Sequence, residues 1–181
     1  MARPISRQEC LKLYSKLPVS DDLNEEYFFP EILKSYVLTS DFKDDVEKLS
    51  LDVADWLRRM GLDELIFLGE TEMPWLSQES DAEQVKQAFK YFYDQKIDAT
   101  FNGGFLVGNR DILEFIKHLF WLTRLNAAFP IVYFTDKNQG LLGNLCKYGN
   151  LHVFTISHDI DKVFLASIAE SQFELTEKSQ C

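Results

Sequence analysis

The clearest pattern in the chain is an apolar stripe in residues 41–60. Its members recur in steps of four, three, four, three and four: Phe42, Val46, Leu49, Val53, Trp56 and Met60. This spacing places them on one side of an α-helix, so we expect Trp56 in the core. Gly61 follows, at the position where a residue of left-handed conformation commonly ends a helix.

Four further helices are predicted, over residues 6–17, 80–95, 110–126 and 159–171. The first two begin with a Ser followed three residues later by Glu, a pairing that satisfies backbone donors at a helix start. The helix over 110–126 is apolar on most sides, which predicts a central position covered on more than one face. Residues 140–148 are predicted to form a short additional helix, which Gly149 ends.

Three short apolar segments, residues 65–68, 131–134 and 151–156, are predicted to be buried strands. An Asn102-Gly103 pair lies between two apolar runs within residues 97–107, which is a typical β-hairpin signal. Because helices separate the three core strands along the chain, the sequence predicts an α/β fold with a short, mostly parallel sheet. The hairpin would add to that sheet, and helices would flank it.

One layered domain is expected over residues 1–181, because no repeat or linker divides the chain. Within it we distinguish a helical, acidic N-terminal portion, about residues 6–61. Residues 172–181 are polar and are expected to form a frayed tail.

The charge is unevenly distributed. The chain has 29 acidic and 19 basic residues, a net charge of −10. Residues 20–83, here called the acidic belt, hold 18 acids and 5 bases, which is 5 − 18 = −13. Such a field repels phosphate backbones, which argues against nucleic-acid binding and favours a basic protein partner.

Several classes of protein are not indicated. No apolar run approaches the roughly 18–20 residues of a membrane helix, and no apolar segment of a secretory signal follows Arg3 and Arg7. The three cysteines are scattered and form no CxxC motif, so neither a disulfide framework nor a zinc module is predicted. We expect a cytoplasmic protein with no membrane association, metal or cofactor; its oligomeric state is left open.

Four side chains at predicted strand ends could form a catalytic site: Glu70, Asp136, His158 and Asp159. The carboxyl ends of neighbouring parallel strands meet at one edge of a sheet, where ligands commonly bind. Carboxylates with a histidine suit a divalent metal or acid–base chemistry. The alternative is structural, because Asp136 and Asp159 also stand where helix caps are expected.

A protein-binding surface is the other candidate. Its predicted residues are the acids of the 41–60 helix and two aromatic residues next to prolines: Asp44, Asp45, Glu47, Asp52, Asp55, Tyr27 and Trp75. Interfaces favour aromatic anchors, and charged groups at their rim speed association.

The preferred interpretation is therefore a small protein-binding module, such as an immunity-type inhibitor of a basic, nuclease-like toxin. One alternative is a metal-dependent hydrolase or nucleotide-handling enzyme that uses the strand-end acids. Another is an adaptor or structural subunit. The chain has neither the GxGxxG nor the GxxxxGK[ST] spacing of phosphate-binding loops, nor a GxSxG nucleophile motif.

Overall fold

A computed structural model describes residues 2–18, 31–42 and 44–176. In these residues five helices surround one eight-stranded sheet. The helices are α1 (Arg7–Leu13), α2 (Val46–Arg59), α3 (Glu83–Asp94), α4 (Ile112–Leu125) and α5 (His158–Ala169). The strands are β1 (Arg3–Ile5), β2 (Lys34–Thr39), β3 (Glu64–Gly69), β4 (Gly104–Gly108), β5 (Val132–Asp136), β6 (Leu141–Leu145), β7 (Leu151–Thr155) and β8 (Glu174–Thr176).

Every neighbouring pair in the sheet is antiparallel, in the order β1-β4-β3-β5-β6-β7-β2-β8. The prediction of a short, mostly parallel sheet of three core strands is wrong. The three predicted core strands do exist as β3, β5 and β7. However, β3 and β5 pair directly in opposite directions, and β6 lies between β5 and β7.

Strand β6 explains much of this error, because residues 140–148 were predicted to be a helix. All five residues of β6 are buried, so its sequence shows no alternation of apolar and polar positions. Glycine at position 143 leaves room for the Phe134 ring on the neighbouring strand, which a Cβ here would displace. Gly149, with a φ of 82°, lies in the turn that connects β6 to β7.

The Asn102-Gly103 pair does not form the predicted hairpin. Only its second apolar run becomes a strand, β4, which pairs with β1 and β3. A Cβ on Gly103 would lie 2.1 Å from the carbonyl oxygen of Ile5, so glycine allows a close approach of two backbones. The glycine thus serves a contact distant in sequence, whereas a hairpin turn is local.

The two faces of the sheet are covered unequally. The larger apolar cluster lies on the face covered by α2, α3, α4 and α5, and the smaller one lies under α1. Strand β3 contributes to both, since Leu65 and Phe67 belong to the first cluster and Ile66 and Leu68 to the second. Trp56 is fully buried in the larger cluster, as its place on the apolar stripe predicted.

Apart from the one over residues 140–148, the predicted helices are present with shifted ends. Helix α2 begins at Val46, because the Asp45 side chain accepts a hydrogen bond from the backbone N–H of Lys48 and caps it there. Part of the segment expected to fray, residues 174–176, forms β8 at the edge of the sheet. No helix among the described residues is long and apolar enough to cross a membrane.

Candidate functional site

The structure does not bring all four strand-end residues of the predicted catalytic site to one edge of the sheet. In the antiparallel pair of β3 and β5, Leu65 faces Asp136 and Gly69 faces Val132. Glu70 therefore lies at the opposite end of the strand pair from Asp136, about 17 Å away at roughly 3.4 Å per residue. The predicted convergence of Glu70 with Asp136 assumed parallel strands, so that part of the prediction fails with the assumption.

Asp136 has a local structural role. Its carboxylate accepts hydrogen bonds from the backbone N–H groups of Asn138 (2.8 Å), Gly140 (2.8 Å) and Leu141 (3.1 Å), which orders the turn between β5 and β6. His158 and Asp159 are exposed in the first turn of α5, whose cap is the Ser157 hydroxyl. Among the described residues, no group of three or more His, Cys, Asp or Glu side chains could hold a metal ion.

The predicted acids lie in α2 or in the two residues before it. The apolar stripe turns Leu49, Val53 and Trp56 into the core, and the opposite side faces solvent. We call five carboxylates of α2 and of the residues before it the α2 acidic face, although exposed Lys48, Arg58 and Arg59 lie on the same helix: Asp44, Asp45, Glu47, Asp52 and Asp55. Three of these side chains are at least 61% exposed and Asp45 is 44% exposed, whereas Asp52 is half-buried.

Each carboxylate of the α2 acidic face has an intramolecular contact. Four of them form ion pairs: Asp44 with Arg124 (3.2 Å), Asp45 with Lys48 (3.4 Å), Glu47 with Lys117 (3.8 Å) and Asp55 with Arg58 (2.6 Å). Asp52 accepts a hydrogen bond from the Ser40 hydroxyl. The acidic character predicted from the sequence is therefore partly neutralised on the surface.

The pKa values of two of these acids shift in opposite directions. The backbone N–H of Lys48 stabilises the Asp45 carboxylate and lowers its pKa, with a further contribution from the Lys48 ammonium group. Burial raises the pKa of Asp52, which the Ser40 hydrogen bond opposes only in part. Both acids have structural contacts: Asp45 caps α2, and Asp52 accepts the Ser40 hydrogen bond. Neither arrangement resembles an acid–base pair.

Comparison with family models, curated proteins and solved structures finds no match to the chain. The arrangement of its own side chains is therefore the basis for any functional proposal.

The two aromatic residues predicted at the interface differ in placement. Trp75 is 1% exposed, packs edge-on against Phe105 and donates its indole N–H to the Gly103 carbonyl at 2.9 Å. The indole thus belongs to the core and offers no surface to a partner in this fold. Tyr27 lies outside the described residues.

A buried polar cluster around Asp161 was not predicted. The Asp161 carboxylate accepts hydrogen bonds from the Tyr36 hydroxyl (2.7 Å) and the Thr155 hydroxyl (2.9 Å), and Lys34 lies 3.4 Å away. Burial opposes its charge, but these contacts outweigh burial and lower the pKa of Asp161. Burial and the adjacent carboxylate raise the pKa of Tyr36 to about 12.

This cluster joins β2, β7 and α5 and has the character of a structural polar network. A Tyr with a raised pKa stays protonated at neutral pH, so its hydroxyl donates a hydrogen bond and does not act as a base. The sequence signal was weak, because Tyr36 and Asp161 are 125 residues apart.

Proposed function

We propose that this protein is a protein-binding module that binds a basic protein through the α2 acidic face. The observation that carries the proposal is the arrangement of α2 itself. One side of the helix is fixed in the core, and five carboxylates lie in the rest of the helix and in the two residues before it. A rigid helix holds such a pattern at low entropic cost when a partner binds.

The ion pairs on this face would not prevent it from binding a basic partner. The carboxylates of Asp44, Glu47 and Asp55 are 83%, 69% and 61% exposed. Exposed ion pairs contribute only about 0–1 kcal/mol each, so basic groups of a partner can replace them at small cost. The net charge of −10 would accelerate the approach of a positively charged protein over longer distances.

The most specific form of this proposal is an immunity-type inhibitor of a nuclease-like toxin. A nuclease must present a positively charged cleft to bind phosphates. An acidic helix face is complementary to such a cleft, and electrostatic attraction would allow fast inhibition. The charge pattern supports this class of partner, and the acidic belt disfavours nucleic acid itself.

The experiment is a binding and inhibition screen with purified basic nuclease domains of bacterial toxins, with cytochrome c as a basic protein that is not a nuclease. Calorimetry between about 20 and 500 mM NaCl would show affinity falling with salt for a true partner. In a Glu47→Gln/Asp55→Asn variant, we expect affinity for that partner to fall about fivefold to tenfold, because two exposed charge contacts are lost.

The matched control is a Glu9→Gln/Asp94→Asn variant, which removes the same charge from exposed positions in α1, on the other face of the sheet, and at the end of α3. It should retain the affinity of the unmodified protein. Equal losses in the two variants, or binding that salt does not weaken, would contradict a role for the α2 acidic face. Binding to cytochrome c alone would contradict the inhibitor class, and binding to none of these proteins would contradict the proposal as a whole.

A further inference from the structure

We propose that a groove beside the C-terminal end of α4 binds a small organic anion with a flat apolar body. The groove has a volume of about 630 Å³ and lies between residues 123–131 and residues 144–148. This volume is within the range of small-molecule sites, roughly 300–1,000 Å³. The groove is a different surface from the α2 acidic face, although the two are joined by the ion pair of Arg124 with Asp44.

Charge is the first argument for an anion. The lining contains two basic residues, Arg124 and Lys147, and no acidic residue. This composition is unusual in a chain with ten more acids than bases. Arg124 is anchored at the α4 end of the groove by Asp44, 3.2 Å from its guanidinium, and the Lys147 ammonium lies 5.1 Å from the centroid of the Tyr148 ring. Because Arg124 is already paired with Asp44, Lys147 is the main positive group that would attract a negatively charged ligand.

The apolar lining is the second argument. Leu125, Ile131 and Tyr148 are 39%, 42% and 53% exposed, which leaves apolar surface open to water at one place. Phe129 adds a half-buried ring, held edge-on against Trp75 in the core with 5.6 Å between ring centroids. Aromatic side chains at both walls favour a flat ligand that can stack on them.

The first wall is held rigidly by Asn126. Its side-chain oxygen accepts hydrogen bonds from the backbone N–H groups of Glu79 (3.0 Å) and Ala128 (3.3 Å), and its amide donates to the Ser77 carbonyl (2.7 Å). The segment that follows α4 is therefore fixed to the chain before α3.

The second wall is the turn between β6 and β7. The Cys146 N–H donates to the Asn150 carbonyl, and the Gly149 N–H donates to the Cys146 carbonyl, each at 3.0 Å. With both walls fixed, a ligand would lose little free energy to ordering of the site.

The test uses 1-anilinonaphthalene-8-sulfonate, an aromatic sulfonate, with the full chain carrying Cys181→Ser. Cys146 then reports on the groove, because Cys10 is fully buried and burial raises its pKa to about 12. We expect saturable fluorescence with one site per chain. At roughly ten times the dissociation constant, alkylation of Cys146 by iodoacetamide should slow about tenfold, and the unfolding midpoint should rise by about 3 °C.

Two comparisons distinguish dye bound in the groove from dye bound nonspecifically elsewhere. Lys147→Glu should weaken binding about tenfold, whereas Lys162→Glu, the same charge change at an exposed position on α5, should leave it nearly unchanged. The neutral analogue N-phenyl-1-naphthylamine should bind about tenfold more weakly than the sulfonate.

Equal binding of the neutral analogue, equal effects of the two lysine variants, or dye binding without protection of Cys146 would each overturn the proposal. Protection of Cys146 that rises with protein concentration in the absence of dye would identify a second copy of the chain as the occupant, and would also overturn it.

Discussion

His118 on α4 is a half-buried histidine whose surroundings disfavour its charged form. Its ring stacks on Tyr91 of α3, with 4.3 Å between ring centroids and 21° between planes. Within the described part of the chain, its Nδ1 has no hydrogen-bond partner. Burial, reinforced by the charge of Lys117, lowers its pKa to about 4, and Glu114, 3.7 Å from Nε2, opposes this only in part.

This shift predicts a loss of stability in acid. Between about pH 6.5 and pH 4 the unfolded chain binds a proton at His118 that the folded chain does not, so the free energy of unfolding falls as pH falls. We expect a contribution of up to about 2 kcal/mol, allowing for solvent screening of the partly exposed ring. Urea unfolding across this pH range measures it.

The control is His118→Phe, which keeps an aromatic ring against Tyr91 and removes the titrating group. The pH dependence of its unfolding free energy should be flatter than that of the unmodified protein between pH 4 and pH 6.5. Parallel curves for the two proteins would show that His118 titrates normally.

At the scale of elements, one buried hydrogen bond joins α2 to α5. The Trp56 indole N–H donates to the Ser167 hydroxyl at 3.0 Å, and that hydroxyl lies 2.7 Å from the Phe164 carbonyl, to which it can donate. The indole also meets Phe164 and Phe173 edge-on, at 6.0 and 6.3 Å between centroids. These contacts orient α5 on the helix that carries the acidic face.

A double-mutant cycle with Trp56→Phe and Ser167→Ala tests this link. Each single change should lower the free energy of unfolding by about 1–3 kcal/mol, since it leaves a buried polar group unpaired or a space unfilled. The double variant should be about 1 kcal/mol more stable than additivity predicts, because both partners are then absent. Strictly additive losses, measured by urea unfolding, would mean that the bond contributes no coupling.

At the scale of the whole molecule, the excess of negative charge opposes folding. With 29 acids and 19 bases, like-charge repulsion disfavours the compact state. The sheet also joins distant parts of the chain, since Val37 of β2 pairs with His152 of β7 and with Thr176 of β8. Its assembly therefore brings together segments that are far apart in the chain.

Raising NaCl from about 20 to 200 mM at neutral pH should raise the free energy of unfolding by about 1 kcal/mol, because salt screens this repulsion. The same change near pH 4.8, the isoelectric point calculated from the sequence, should have little effect. Urea unfolding at both pH values makes the comparison. A loss of stability with salt at neutral pH would mean that the surface ion pairs outweigh the repulsion.

The sequence by itself determined the features that depend on near neighbours. The apolar stripe of α2 predicted the helix, the burial of Trp56 and the exposure of most of its acids, since a period of 3.6 residues is a local property. Strands β3, β5 and β7 were also recognised from their continuous apolar runs. The five helices were found with ends shifted by a few residues, because caps such as Asp45 decide where each begins.

Only the tertiary structure decided how the strands pair. The apolar sequence of a buried run such as β6 is compatible with either a helix or a strand. Hydrogen bonds to a neighbour such as β5 make it a strand. Strand direction then separated Glu70 from Asp136, and packing turned Trp75 inward. The groove between residues 123–131 and 144–148, like the Asp161 cluster, is built from segments far apart in the chain, and no local pattern encodes such a contact.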